Sequence, residues 1–99
     1  MKSVYDVMKN VTVRYLGLFS VEVRKKVEIV SLNDSATLKN LIDVLVLKYG
    51  APIRKLFYDE LGEFKPLVMF LVNGKATDNL AYVLAEGDEV AIAPLIAGG

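Results

Sequence analysis

One amphipathic helix, set among runs of alternating residues, constrains this chain most. Leu38, Leu41, Ile42, Leu45 and Tyr49 fall at i, i+3, i+4, i+7 and i+11 and form a single apolar stripe. Thr37 stands where an N-cap hydroxyl can accept from an unsatisfied amide of the first turn. Lys48 suits the negative end of the helix dipole, Gly50 the left-handed position after the last turn, and Pro52 bars continuation. A short helical turn is expected over 52–58.

Such a stripe needs an apolar surface to lie on, and the flanking sequence supplies strands. Val11 to Leu16 alternates and is rich in β-formers. Around Gly17 the chain turns, and Glu22 to Val30 alternates again, with Val21, Val23, Val27 and Ile29 on one face. Lys25 interrupts that row, as at an edge strand or a bulge. These two runs are expected to form an antiparallel hairpin.

Leu67 to Val72 is an unbroken apolar run, the pattern of a strand buried on both faces. Asn73-Gly74 is a strong hairpin signal that returns the chain through Lys75 and Ala76. Leu80 to Leu84 suggests an irregular helical turn. Gly87-Asp88 turns the chain into a last strand, Glu89 to Pro94, with Val90, Ile92 and Pro94 on one face and Ala91 and Ala93 on the other.

The order β-β-α-β-(β)-β closes if the helix crosses one face of a mixed sheet of four or five strands. The crossover rule then lets the last strand lie parallel beside the first, in the middle of the sheet. That arrangement is α+β, the β-grasp or ubiquitin-like fold, with one main helix packed on one face. The expected division is an N-terminal extension over 1–9, the domain over 10–94, and a tail over 95–99. The tail leaves a central strand and reaches about 16–18 Å when extended.

Absent residue types exclude much chemistry. The 99 residues include no cysteine and no histidine, which removes thiol nucleophiles, disulfides, the usual zinc sites and histidine-based triads. No glycine motif is of the kind that cradles a nucleotide. Twelve basic residues balance twelve acidic ones, which argues against nucleic-acid binding. No run approaches the ~18 uncharged apolar residues of a membrane span, and no leader pattern opens the chain, so the expected compartment is the cytoplasm. Residues 1–55 carry ten basic and five acidic side chains, residues 56–99 two and seven. The charges either mix in three dimensions or leave an acidic patch near the tail that steers a basic partner.

The closing stretch Leu84 to Gly99, LAEGDEVAIAPLIAGG, resembles the end of the small subunit of molybdopterin synthase, a member of the ubiquitin-like sulfur carriers. The resemblance extends to Tyr15-Leu16, to Thr37-Leu38 and to Leu71-Val72-Asn73-Gly74. Leu95 stands where those subunits usually carry a second proline, and residues 1–9 precede their usual start.

The resemblance implies a non-catalytic carrier. An E1-like enzyme, which uses the ATP, adenylates the Gly99 carboxylate, and a sulfur-transfer step makes it a thiocarboxylate. The tail then enters a large catalytic subunit, in a heterotetramer, and passes sulfur to a pterin precursor of a molybdenum or tungsten cofactor. The carrier holds no metal or cofactor of its own. Gly98 and Gly99 let backbone pass a narrow channel where a Cβ would clash. Pro94, Leu95, Ile96 and Ala97 are the segment a partner grips. A docking surface is assigned to Ala91 and Ala93, which leave the open sheet face shallow, and to Glu86, Asp88 and Glu89 near the tail. Thiazole synthesis, tRNA thiolation and protein modification through Gly99 remain alternatives. Asp59, Glu60 and Glu63, beside Gly62, are read as a solvated loop rather than a divalent-cation site. Phe57, Phe64, Met69, Phe70 and Tyr82 are read mainly as core.

Overall fold

The computed structural model describes residues 8–65 and 67–95. Strand β1 spans Met8–Tyr15, helix α1 Leu18–Val23 and strand β2 Val27–Asn33. Helices α2 (Leu38–Tyr49) and α3 (Ala51–Phe57) follow, then strands β3 (Val68–Val72), β4 (Lys75–Thr77) and β5 (Glu89–Pro94). The five strands form one sheet in the order β2-β1-β5-β3-β4. β1 and β5 run parallel at its centre, and the β1–β2, β3–β4 and β3–β5 pairs are antiparallel. This is the β-grasp arrangement expected from the element order.

Helix α2 forms where the apolar stripe placed it, and Leu38, Leu41, Ile42 and Leu45 are buried against the sheet. Its start is doubly tied. Thr37 Oγ1 accepts from the Asn40 amide, while Asn40 Oδ1 accepts from the Thr37 amide at 2.9 Å, a reciprocal capping box. Gly50 ends the helix, but Pro52 does not stop helical structure for long. It sits in the first turn of α3, where the missing N–H costs no hydrogen bond.

Two readings of the first hairpin need correction. The stretch Glu22 to Val30 is not one strand, because residues 18–23 form α1. Phe19 and Val23, spaced i and i+4, turn inward, while Val21 stays 66% exposed. A period of two over so short a run cannot be told from a helical period, and burial of Phe19 decides it. The helix sits between Gly17 (φ 56°) and Arg24 (φ 64°), both left-handed. The apolar face of β2 is likewise reversed. Val27 and Ile29 point to the open side, whereas Glu28, Val30 and Leu32 face α2. A shift of one residue inverts every side chain of a strand, and the pairing of Val30 with Val11 fixes the parity.

β3 is buried on one face rather than two. Phe70 and Val72 are buried beneath the helices, but Met69 and Leu71, on the open face, are half-covered by neighbours as small as Ala91. Of the five residues read as core, Phe57 and Phe70 are buried, Phe64 and Met69 half-buried, and Tyr82 is exposed. Asn73 (φ 51°) and Gly74 (φ 84°) make the expected tight turn into β4. Leu80 to Leu84 carries no helix; Val83 bridges to Thr37 and Leu84 is buried. β1 starts at Met8 and so takes in two residues assigned to an extension. Lys9 is 2% exposed, and its Nζ donates to the carbonyls of Asp34, Ala36 and Leu84.

Candidate functional site

β5 carries the end of the described chain out of the sheet. It is held on both sides, by the parallel pairing of Thr12–Tyr15 with Glu89–Ile92 and by the antiparallel pairing of Val68–Val72 with Val90–Pro94. The Leu95 amide donates to the Leu67 carbonyl at 2.7 Å, so the backbone is guided to the last described residue. Pro94 rests on Gly17: a Cβ at Gly17 would stand 3.1 Å from both Cγ and Cδ of the proline ring. Position 17 is therefore glycine for two reasons, the left-handed φ and this contact.

Around this root lies a collar of part-exposed leucines. Leu16, Leu18, Leu67 and Leu95 are 44–51% exposed. A groove of about 210 Å³ runs beside Pro94 among Leu18, Leu56 and Leu67. A wider one of about 710 Å³ is lined by Leu95 itself, with Phe64, Val68 and Leu80.

The assigned docking residues are not all available. Asp88 is 7% exposed, and its carboxylate accepts from Asn73 Nδ2 and the Ala85 amide, both at 2.8 Å. Asn73 Oδ1 in turn accepts from the Glu89 amide. Asp88 is thus a brace that ties the two turns at the start of β5, a correction to its assignment as a surface acid. Ala93 is also closed off, at 7% exposure beside its pairing neighbour Met69. Ala91 is half-exposed on the open face. Glu86 accepts from the Asn10 amide, and Glu89 pairs with Arg14 at 2.7 Å. That last pair joins the basic half of the chain to the acidic half, so the sequence asymmetry is partly cancelled here. Ile96, Ala97, Gly98 and Gly99 lie outside the described residues.

The polar cluster around Glu28 was not among the expectations. One carboxylate oxygen accepts from both Tyr15 and Tyr49 hydroxyls and the other from Lys48 at 2.7 Å. Burial opposes the charge, but the hydrogen bonds from Lys48 and the two tyrosines outweigh it and hold the carboxyl down at about 2. The Tyr15 hydroxyl is pushed far above its ordinary value, first by burial and then by Glu28. A charged residue inside an alternating row was the available signal.

Among the described residues no group of three acidic, cysteine or histidine side chains gathers to hold a metal. Asp59 accepts from the Leu61 and Glu63 amides, the loop geometry expected of that stretch. Nor is any described helix long and apolar enough to cross a membrane.

Sheet order, covering helix and guided exit define a ubiquitin-like β-grasp protein. The comparisons narrow this further. Residues 17–99 match the ThiS family, and the chain belongs to it. It is 33% identical over 89 residues to small archaeal modifier protein 3 of Haloferax volcanii, covering 87% of this chain and 95% of that one. The crystal structure of small archaeal modifier protein 1 from the same organism superposes with a TM-score of 0.80 at 22% identity, covering 89% of this chain and 99% of that one. A molybdopterin converting factor subunit 1 of Pyrococcus furiosus gives 0.68 at 23%, covering 89% and 99%. The chain is accordingly a small sulfur carrier or ubiquitin-like modifier, of a family whose members work with an E1-like enzyme and a partner subunit.

Proposed function

We propose that the reacting group is the Gly99 carboxylate, adenylated by an E1-like enzyme and converted to a thiocarboxylate. A free carboxylate is a poor acyl donor until its oxygen is joined to a good leaving group, so the adenylate must come first. The thiocarboxylate then serves as the sulfur donor of molybdopterin synthase, with this chain as the small subunit beside a large catalytic one. The observation that carries the reading is the root: Pro94 and Leu95 leave a central strand within a collar of exposed leucines. In the sequence Ile96, Ala97 and the glycine pair come next, and a partner gripping the leucines would offset the entropy lost when the tail is threaded. Ala91, Glu86 and Glu89 remain the docking residues of this reading.

The relative at 33% identity supports a second reading, because it is named a modifier protein. In that case the adenylated Gly99 is passed to a lysine of another protein as an isopeptide. Both readings share activation and differ in the acceptor. Incubation with a cognate E1-like enzyme, ATP and a sulfur donor is expected to replace one oxygen of Gly99 by sulfur in the intact mass. Co-purification with a pterin-binding subunit selects the first reading, and diglycine remnants on lysines of other proteins select the second. An unchanged mass, with an enzyme shown to be active on a related carrier, rejects the first reading, and an unchanged mass together with no diglycine remnants rejects both.

A further inference from the structure

The geometry points to self-association of this chain through the outer edge of β2, which pairs antiparallel with β2 of a second copy. Among the described residues nothing pairs with that edge, since β2 ends the sheet order. Which backbone groups point outward follows from the register. The Tyr15 amide donates to the Lys26 carbonyl, so residues 26, 28, 30 and 32 turn their backbone groups to β1. The N–H and C=O of Val27, Ile29 and Ser31 therefore face away from the sheet. The Asn33 carbonyl already accepts from the Ala36 amide, which limits the free edge to Val27–Ser31.

Edge strands are ordinarily guarded by lysine, proline, a bulge or an inward charge. Along Val27–Asn33 there is no lysine and no proline, and the one charge, Glu28, is occupied by Lys48 and the two tyrosines. The exposed side chains are instead apolar: Ile29 is 70% exposed and Val27 46%.

A second copy fits this edge in two respects. Two-fold pairing centred on Ile29 sets Ile29 against Ile29 and Val27 against Ser31, forming about six backbone hydrogen bonds. It also turns the basic stretch before each β2, Arg24-Lys25-Lys26, towards the end of the second copy's strand that Asp34 follows. The edge thus meets its own reverse with apolar side chains at the axis and opposite charges beyond its two ends. Contact over so short an edge makes a weak dimer, with a dissociation constant on the order of 0.1–1 mM. The tail root is on β5, two strands away in the sheet order, so pairing leaves it accessible.

The test is sedimentation equilibrium of the full chain into the millimolar range, with amide spectra at each concentration. A concentration-dependent dimer is expected, with shift changes concentrated at Val27–Ser31, and added salt should weaken it. Ile29→Lys places two ammonium groups at the two-fold axis and should weaken association by at least about tenfold while leaving the monomer spectrum native. Asp34→Lys should weaken it as well, because it adds a positive charge near the second copy's Arg24-Lys25-Lys26. A chain that stays monomeric at millimolar concentration overturns the proposal. So does a dimer indifferent to Ile29→Lys, or one whose shifts fall on β4 or the leucine collar.

Discussion

Gly17 lies against the ring of Pro94, so close that a side chain at position 17 would have to push the ring aside. A Cβ there would meet Cγ and Cδ at 3.1 Å, on a backbone already at φ 56°. This contact joins the turn after β1 to the point where the chain leaves the sheet. Gly17→Val is therefore expected to cost about 1–3 kcal/mol in urea unfolding. It should also speed hydrogen exchange at the Leu95 amide, whose bond to Leu67 depends on the position of Pro94. Unchanged exchange at Leu95 would show that the two sites are not coupled.

Lys9 holds three loop carbonyls from inside the fold. Lys9→Met keeps an unbranched apolar stem as far as Cε but leaves those oxygens without their donor. A loss of about 2–4 kcal/mol in denaturant unfolding is expected, with the same far-UV spectrum under native conditions.

Glu28 predicts the acid response. Its carboxyl sits near 2 in the folded protein, below its ordinary 4.5, so the folded state releases the proton more readily than the unfolded chain. This contribution is present in full above about pH 4.5 and is lost as the pH falls towards 2. Urea midpoints should therefore drop over that window in the native protein and drop less in Glu28→Gln. Equal slopes would mean that other carboxylates carry the acid sensitivity.

Leu95 is 51% exposed, so its side chain contributes little to the core. Leu95→Asp should leave the unfolding midpoint within experimental error. If the collar is gripped during activation, KM for the E1-like enzyme rises about tenfold, read from the rate of adenylate formation. A normal KM would place the grip elsewhere on the chain.

The stretches with unambiguous local codes were legible. The five-residue stripe of α2 with its threonine cap, the Asn73-Gly74 turn and the alternation of β5 each admit one conformation and one buried face. Together they limit the topology to a β-grasp, because the crossover rule leaves the last strand a single parallel place. What misled were short or two-sided patterns. Val21 and Val23 fit a strand as well as a helix until Phe19 is seen to be buried. Met69 and Leu71 carry the same apolarity as Phe70 and Val72 but face the open side. Asp88 is written like a surface acid, and only the fold sets Asn73 against it.

By itself, then, the sequence determined α2, β1, β3 and β5, the helix cap and the Asn73-Gly74 turn, and the strand from which the chain leaves. These depend on residues near one another along the chain. The tertiary structure alone decided which parity of β2 faces the helix, where Lys9 and Glu28 find their partners, and which edge and leucines stay uncovered. Each depends on contacts between residues far apart in sequence. A buried charge is tolerated only where such contacts satisfy it, and no local pattern can show that they will.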